Sequence, residues 1–369
     1  MKSRLFVVDD TTYAITTSTN IVSVKIPALT GTQWVKTIFD IMADMLQVEI
    51  GDYIFLWKQR ASSQGSCIYG VYRAISKPYY DSSTPSDVYP FKIHIELAYD
   101  FINPVLEYEV LNNPYNKNPL WNIIGKKVAR KSRGTSPLTI DESRYLISLL
   151  LDKNPIYNFY PERKAHTIIV PNSLVVDYTL TSDNKRPATI SVFNPNKLSA
   201  FFTNRSIRYE KILETIFNME LSNRNKRFFS QIGIDVEKVS WYSNYLPYSI
   251  EGKEMDYVII ESEDNLAPCT ISVVEFSINA IDEDHINKAF LYSRWISQTL
   301  ALGTATVQPI LIVKSSVDFI KGETAQTKIK KLNALSLLIT NYEKDYHLKN
   351  LKIYTYDFSS GSPRFTQVR

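Results

Sequence analysis

Cysteine, histidine and glycine are the scarce residues of this 369-residue chain. Two cysteines, Cys67 and Cys269, are too few for a disulfide framework or a cysteine-based zinc site, and they fit a reducing, cytoplasmic location. The four histidines are scattered without metal-ligand spacing, which argues against a histidine-rich metalloenzyme. The eleven glycines form neither a GxxxxGK[ST] nor a GxGxxG sequence, so a nucleotide-dependent kinase or a dinucleotide-binding fold is poorly supported.

Long apolar runs and a strong net charge are also missing. No run of 18 apolar residues occurs and the N-terminus, MKSRLFVVDDTTY, has no signal-peptide core, so we expect a soluble protein without membrane contact. The net charge of +4 is too small for a polybasic coat, so any nucleic-acid contact must use local patches. Apolar residues make up 44% of the chain, enough for a sizeable core, and the length favours two domains.

The two halves of the chain differ in the order of their predicted strands and helices. The first predicts strands at 5–8, 53–57, 67–75 and 91–97 with helices at 33–46 and 141–151. The second predicts helices at 206–221, 284–302 and 332–339 around strands at 256–261, 270–276, 307–313 and 351–356, a mixed α/β layer. Prolines punctuate the region between them. We therefore expect a first domain over 1–153, a connecting region over 154–199 and a second domain over 200–369.

Two acidic residues mark neighbouring strands of the second half. Asp256 begins one predicted strand, and Glu275 lies near the end of the next. If these strands pair antiparallel, the two carboxylates converge at one edge of the sheet. Hard divalent cations prefer carboxylate oxygens in such a place, although surface acids at strand ends have the same sequence pattern.

This stretch resembles the PD-(D/E)XK nuclease superfamily, in which an acid on one strand precedes an acid–x–lysine on the next strand and then a helix. Asp256 and Glu275 match the acids. Residues 288–295 (KAFLYSRW) resemble the Q-x-x-x-Y-x-x-W helix of such nucleases, with Lys288 at the Gln position. The resemblance implies a Mg²⁺ or Mn²⁺ site formed by Asp256, Glu275 and an acid of the preceding helix, Glu214 or Glu210.

One departure from the family pattern affects the expected activity. Ser277 stands where the family has its lysine, which positions and activates the attacking water. Three explanations are open: Lys288 or Lys253 replaces it, the sequence is substituted at this position, or the domain binds without cutting. Tyr292 and Trp295 of the helix also fit plain core packing.

Four segments of the first half resemble the EVE and YTH branch of PUA-like domains. They are 16–34 (TTSTNIVSVKIPALTGTQW), 53–60 (YIFLWKQR), 67–81 (CIYGVYRAISKPYYD) and 89–96 (YPFKIHIE). The resemblance implies a small β-barrel with packed helices, whose first strand and binding loop lie in 16–34. Binding members of the family hold a modified or flipped base in an aromatic pocket.

The resemblance also implies which side chains form the pocket. Trp34 matches a cage tryptophan by position, and Ser18 and Asn20 match the polar side that reads the edge of the base. Further walls are sought among aromatic residues that fit a core or surface position equally well: Trp57, Tyr79 and Tyr80.

A basic run follows the predicted pocket. Residues 125–133 (GKKVARKSR) carry five cationic side chains, read either as a phosphate-contacting patch or as a solvated loop: Lys126, Lys127, Arg130, Lys131 and Arg133.

Together these features predict a two-domain α+β and α/β protein, a PUA-like (EVE) β-barrel with helices followed by a PD-(D/E)XK-like mixed-sheet core. The expected function is a DNA endonuclease that recognises a modified, by expectation methylated, base and hydrolyses phosphodiester bonds. The alternative is a non-catalytic protein that binds modified nucleic acid through a degenerate nuclease domain, and RNA is a third possible target. Double-strand cleavage would favour a homodimer.

Overall fold

The chain forms two compact units in a computed structural model. One comprises Met1–Val175 with Ile250–Gly252, and the other Val176–Ser249 with Lys253–Arg369. The structure describes residues 2–25, 31–59, 65–81, 89–111, 135–161, 202–203, 206–207, 210–248, 253–263, 268–314, 324–344, 348–357 and 363–369. The division between the units falls outside these ranges, so the domain limits expected at 153 and 200 stay a prediction.

The first unit is built on a curled sheet. Its strands are β1 Ser3–Val8, β2 Ile21–Val24, β3 Tyr53–Lys58, β4 Cys67–Ala74, β5 Tyr79–Tyr80, β6 Phe91–Asp100, β7 Val105–Leu106, β8 Thr135–Leu138 and β9 Asn158–Phe159. The main order is β2-β6-β4-β3-β1-β8, and only β1 and β3 are parallel. The long strand β6 pairs with β2 through its first half and with β4 through its second, which curls the sheet into a half-barrel.

The described helices of this unit are α1 Asp10–Thr19, α2 Gly31–Leu46, α3 Glu107–Leu111 and α4 Ile140–Lys153. The predictions of α2 and α4 are confirmed. Helix α1 was not predicted, and it occupies the start of the segment 16–34, in which a first strand and binding loop were expected and in which β2 begins only at Ile21. A reciprocal capping box starts it: Thr12 N donates to Asp9 Oδ1 and Asp9 N donates to Thr12 Oγ1, both at 2.8 Å.

The second unit contains a six-stranded mixed sheet in the order β12-β13-β14-β15-β16-β17. After the short pair β10 Phe202–Thr203 and β11 Ser206–Ile207, its strands are β12 Val239–Pro247, β13 Glu254–Ser262, β14 Pro268–Phe276, β15 Thr306–Lys314, β16 Lys352–Asp357 and β17 Arg364–Gln367. Strands β12 to β14 form an antiparallel meander, and β14, β15 and β16 are parallel. The predicted mixed α/β layer is confirmed, with β12 and β17 as strands that the pattern did not predict.

Helices make the connections that the parallel strands require. They are α5 Glu210–Ser222, α6 Lys226–Ser230, α7 Glu283–Ile296, which continues as a π-helical turn at Ser297–Ala301, and α8 Ala325–Tyr342. Helix α7 links β14 to β15, and α8 links β15 to β16. Helix α5 begins later than predicted, since 206–207 belong to a strand. Among the described residues, no helix is long and apolar enough to cross a membrane.

Helix α5 packs on the sheet through a cluster of aromatic rings. The ring of Phe217 lies 4.7 Å from that of Phe276 and 5.9 Å from that of Tyr257, between centroids. Rings of α6 and β17 close the cluster from the other side. Because the cluster is buried, it fixes α5 against β13 and β14, where the acidic residues lie.

Candidate active site

Asp256 on β13 and Glu275 on β14 are brought together by the antiparallel pairing of these strands. The backbone N–H of Asp256 donates to Glu275 Oε1 at 3.2 Å, and the N–H of Phe276 donates to Asp256 Oδ2 at 2.9 Å. Each carboxylate is therefore held by the backbone of the neighbouring strand. The convergence expected from the sequence is present in the structure.

Two acids from the start of α5 join this pair. Glu210 and Glu214 lie one helical turn apart, and each offers an oxygen within 4.8 Å of the others and of an Asp256 oxygen. Oxygens bound to one Mg²⁺ at about 2.1 Å lie at most about 4.2 Å apart. The spacing is therefore close to that of a shared divalent cation, and all ligand atoms are the hard oxygens that such an ion prefers.

Burial and mutual repulsion both oppose ionisation of these acids. Burial, followed by the charge of Asp256, raises the pKa of Glu210 to about 7 and the pKa of Glu275 well above its ordinary value. Burial also raises the pKa of Asp256, while its hydrogen bond from Phe276 acts the other way. Carboxylates placed together in a poorly solvated site favour either protonation or a bound cation.

Two lysines bring positive charge to the cluster. Lys211 Nζ lies 3.1 and 3.3 Å from the two oxygens of Glu214, hydrogen bonds to the Tyr245 phenol, and sits 3.6 Å from the centre of that ring. Lys288 is exposed on α7, and its charge opposes the raised pKa values of Glu275 and Asp256. Sequence reasoning selected Lys288 and missed Lys211, although Lys211 stands between two acids in the segment EKILE.

Ser277 follows the last residue of β14 and is 1% exposed. Its N–H donates to Ile312 O at 2.8 Å, and its hydroxyl accepts from Asn279 N at 3.0 Å. The position is thus part of a tight turn at the end of the strand. Lys253, the other replacement considered, is exposed next to β13, where its carbonyl accepts from Tyr248 N at 2.8 Å.

Aromatic side chains border the acids on the α7 side. The ring of Tyr248 lies 5.0 Å from that of Tyr292 and 6.1 Å from that of Trp295. Burial and the nearby charges of Glu275 and Asp256 raise the pKa of Tyr292, so its phenol stays neutral. Tyr292 is buried, as core packing requires, whereas Tyr248 and Trp295 are half-buried.

The predicted polar side of the base pocket lies at the end of α1. Ser18 is exposed, and its hydroxyl donates to Ile15 O at 3.1 Å within the helix. Asn20 ends the helix in the left-handed conformation with φ 55°, and its carbonyl accepts from Ile95 N at 2.9 Å. Trp34 lies in the first turns of α2, and its side chain is outside the described part of the structure.

Of the other candidate walls of the base pocket, Trp57 lies in the apolar core, and Tyr79 and Tyr80 form the short strand β5. Trp57 is 7% exposed and packs in the apolar core, which agrees with the core alternative for this residue. Tyr79 stacks on His94 with ring centres 5.3 Å apart, and its phenol lies 3.1 Å from His94 Nε2. Tyr80 is half-buried against the edge of Phe91.

The neighbours of Tyr79 include a residue that sequence reasoning missed. His94 pairs with Ile21, the residue after Asn20, while Tyr79 packs on its ring. Burial lowers the pKa of His94 and favours its neutral ring, which can accept a hydrogen bond. The five basic residues predicted to contact phosphates lie outside the described residues: Lys126, Lys127, Arg130, Lys131 and Arg133.

No protein-family model and no curated protein matches the chain. Several solved structures are similar to about two fifths of it, and three of them serve as examples. A protein from Agrobacterium tumefaciens matches with a TM-score of 0.30 and 15% identity, over 42% of this chain and 97% of that chain. A hypothetical protein from Leishmania major matches with a TM-score of 0.31 and 8% identity, over 42% of this chain and 96% of that chain. Human THYN1 in complex with 5-methylcytosine containing DNA matches with a TM-score of 0.29 and 10% identity, over 41% of this chain and 98% of that chain. At such low identity and TM-score, the ligand of a neighbour says nothing about the ligand of this chain.

Proposed function

We propose that this chain is a divalent-metal-dependent DNA endonuclease whose first unit reads a modified, methylated base and whose second unit cuts a phosphodiester bond. The observation that carries the proposal is the set of acids at one end of β13 and α5. Glu210, Glu214 and Asp256 lie within 4.8 Å of one another through their oxygens, and Glu275 is hydrogen bonded beside them. Mg²⁺ or Mn²⁺ fits this all-oxygen set.

A bound ion there would lower the pKa of a water molecule and neutralise charge on the phosphate. The ligands would be Glu210, Glu214 and Asp256, with Glu275 completing the site. The chain itself holds these groups in place, because backbone N–H groups fix Asp256 and Glu275, and Lys211 fixes Glu214. Lys211 and Lys288 would supply positive charge next to the phosphate.

The order of elements supports the resemblance to PD-(D/E)XK nucleases. An acid-bearing helix, α5, precedes the strand with Asp256, its antiparallel neighbour with Glu275, and then helix α7 with Lys288. The buried Ser277 is the departure from that pattern. We assign the function of the missing lysine to Lys211 or Lys288, since both act electrostatically on the acids.

Base reading by the first unit rests on its sequence resemblance and on one group of neighbouring residues. Asn20, Tyr79 and His94 lie together at the β2, β5 and β6 edge of the curled sheet. This group combines aromatic rings, of which Tyr79 is 8% exposed, with polar atoms, and rings and polar atoms are the two kinds of contact that hold an extruded base. Stacking on an aromatic ring contributes about 1–3 kcal/mol per base.

The test is a digestion panel of otherwise identical plasmids that carry unmodified, 5-methylated or 5-hydroxymethylated cytosine. Each is incubated with the full chain and Mg²⁺, Mn²⁺ or EDTA, and the products are resolved on a gel. We expect metal-dependent cutting of at least one modified substrate and none by Asp256→Asn. Cutting that persists in EDTA or in the variant would contradict the proposed site.

The second candidate function is binding of modified nucleic acid without cleavage, and Ser277 is the observation that favours it. In that case the full chain retains modified DNA in a gel-shift assay but never cuts it with either metal. An RNA of the same sequence in that assay separates DNA from RNA as target. A sedimentation measurement with and without DNA tests the homodimer that double-strand cutting would favour.

A further inference from the structure

Helix α7 carries a lysine and two aromatic side chains along one line. Lys288, Tyr292 and Trp295 follow one another at intervals of four and three residues, which places them on the same face of a helix. With a rise of about 1.5 Å per residue, Lys288 and Trp295 lie about 10 Å apart along the axis. The line begins at Lys288, which acts on the acids, and ends at an aromatic residue.

Tyr248 extends this line into a shelf of rings. Its ring contacts Tyr292 at 5.0 Å and Trp295 at 6.1 Å, tilted by 49° and 65°. The backbone hydrogen bond from Tyr248 N to Lys253 O holds the residue at the end of β12. We call Tyr248, Tyr292 and Trp295 the ring shelf.

The ring shelf lies beside the acids, and its three rings differ in burial. Tyr292 is 3% exposed, and the charges of Glu275 and Asp256 both raise the pKa of its phenol. Tyr292 is therefore the ring of the shelf that lies next to the carboxylates. Tyr248 and Trp295 are only half-buried.

We propose that the ring shelf stacks an unpaired base next to the phosphate held at the acids, so that the second unit acts on single-stranded or locally unpaired DNA. This inference rests on the proposed function and adds the substrate class to it. Bases of an intact duplex are stacked on each other and offer only their edges, whereas a single strand offers base faces to aromatic side chains.

The binding test uses the full chain, a fluorescein-labelled 12-nucleotide strand and the blunt duplex of the same sequence, both in Ca²⁺ so that binding is read without cutting. Tyr248→Leu and Trp295→Leu should each weaken single-strand binding about tenfold. Neither should change duplex binding. The matched control is Tyr342→Leu, which removes a half-buried tyrosine stacked on Phe290 of the same helix and should change neither affinity.

Two further measurements keep the outcome clear if a leucine variant fails to fold. Trp295→Phe keeps a ring, and it should retain most of the single-strand affinity. The tryptophan fluorescence of the natural chain should fall when the single strand is added, and this quenching should be smaller in Trp295→Phe. Equal loss of strand and duplex binding, or full affinity in folded leucine variants, would overturn the inference.

Cleavage separates this inference from the proposed function. If the natural chain cuts DNA with Mg²⁺ but the shelf variants keep the same preference between single strand and duplex, the stacking inference is wrong and the nuclease proposal is retained. If no DNA is cut with either metal while the shelf variants lose single-strand binding, the nuclease proposal fails and the stacking surface stands.

Discussion

The N–H of Asp256 donates a hydrogen bond to Oε1 of Glu275 at 3.2 Å, which joins two acids that lie 19 positions apart in the chain. The contact depends on the antiparallel register of β13 and β14, in which Tyr257 faces Val274. Glu210 and Glu214 are added by α5, whose Phe217 packs on the same two strands. Meander and helix together thus create a concentration of negative charge that neither element has alone.

Removing one charge should stabilise the metal-free protein. In EDTA at pH 8 we expect Asp256→Asn to raise the melting temperature by about 2–4 °C, equivalent to about 1 kcal/mol, because it relieves repulsion among buried carboxylates. The same variant should lose the melting-temperature increase that Mg²⁺ gives the natural chain. Scanning calorimetry measures both effects. Glu283→Gln, at an exposed acid of α7, is the control and should change neither; a destabilised Asp256→Asn would contradict the repulsion.

Substitution of either lysine should slow cleavage, but only substitution of Lys211 should also lower the stability of the protein. Lys211→Met leaves the buried Glu214 without its ion pair, so we expect a stability loss of about 1–3 kcal/mol together with slower cleavage. Lys288 is exposed, so Lys288→Met should slow cleavage by tenfold or more at unchanged stability. Urea unfolding and a cleavage time course check this. Lys226→Met, at an exposed lysine of α6, should keep both values, and full activity in both test variants would exclude the lysines.

His94 should make the stability of the chain depend on pH. Burial lowers its pKa, so the folded state prefers the neutral ring, and the unfolded chain binds the proton first as pH falls. The contribution is fully present above the unfolded pKa of about 6.5 and is lost as pH falls from there through the lowered folded value. Urea unfolding at pH 5 to 8 should show a shallower loss for His94→Gln than for the natural chain. Tyr79→Phe should keep the natural slope, because burial is the cause; identical slopes for all three proteins would refute this.

Substitutions of Trp34 and Trp57, two tryptophans of the first unit, should separate binding from folding. Trp34→Ala is expected to weaken binding to modified DNA by about 1–3 kcal/mol and to leave the melting temperature unchanged. Trp57→Ala should instead cost about 3–5 kcal/mol of stability, because Trp57 is 7% exposed in the core. Gel shifts and thermal melts measure the pair. A Trp34 variant that loses stability but keeps its preference for modified DNA would remove Trp34 from the pocket.

The acids of the strands could be predicted because period-two patterns and turn signals locate β13 and β14, and antiparallel pairing then fixes which ends meet. Helix α1 could not, since it is rich in β-branched threonine and depends on the cap that Asp9 and Thr12 form. The choice between core and pocket for Trp57 could not be made from the sequence, because strand β3 is buried on both faces and its sequence YIFLWK shows no alternation that separates core from surface. The neighbours of His94 lie on other elements, which no local pattern contains, whereas Lys211 and Glu214 have the i, i+3 spacing of one helix and could have been paired from the sequence.

The most direct measurement of the central claim is a cleavage time course on methylated plasmid in Mg²⁺ with the natural chain, Ser277→Lys, and Ser277→Lys combined with Asp256→Ala. The account predicts metal-dependent cutting by the first, equal or faster cutting by the second, and none by the third. Because Ser277 is buried, a thermal melt of each protein checks that the variants with Lys at this position remain folded. Equal cutting by the second and third proteins would show that Asp256 is no metal ligand, and would contradict the nuclease assignment.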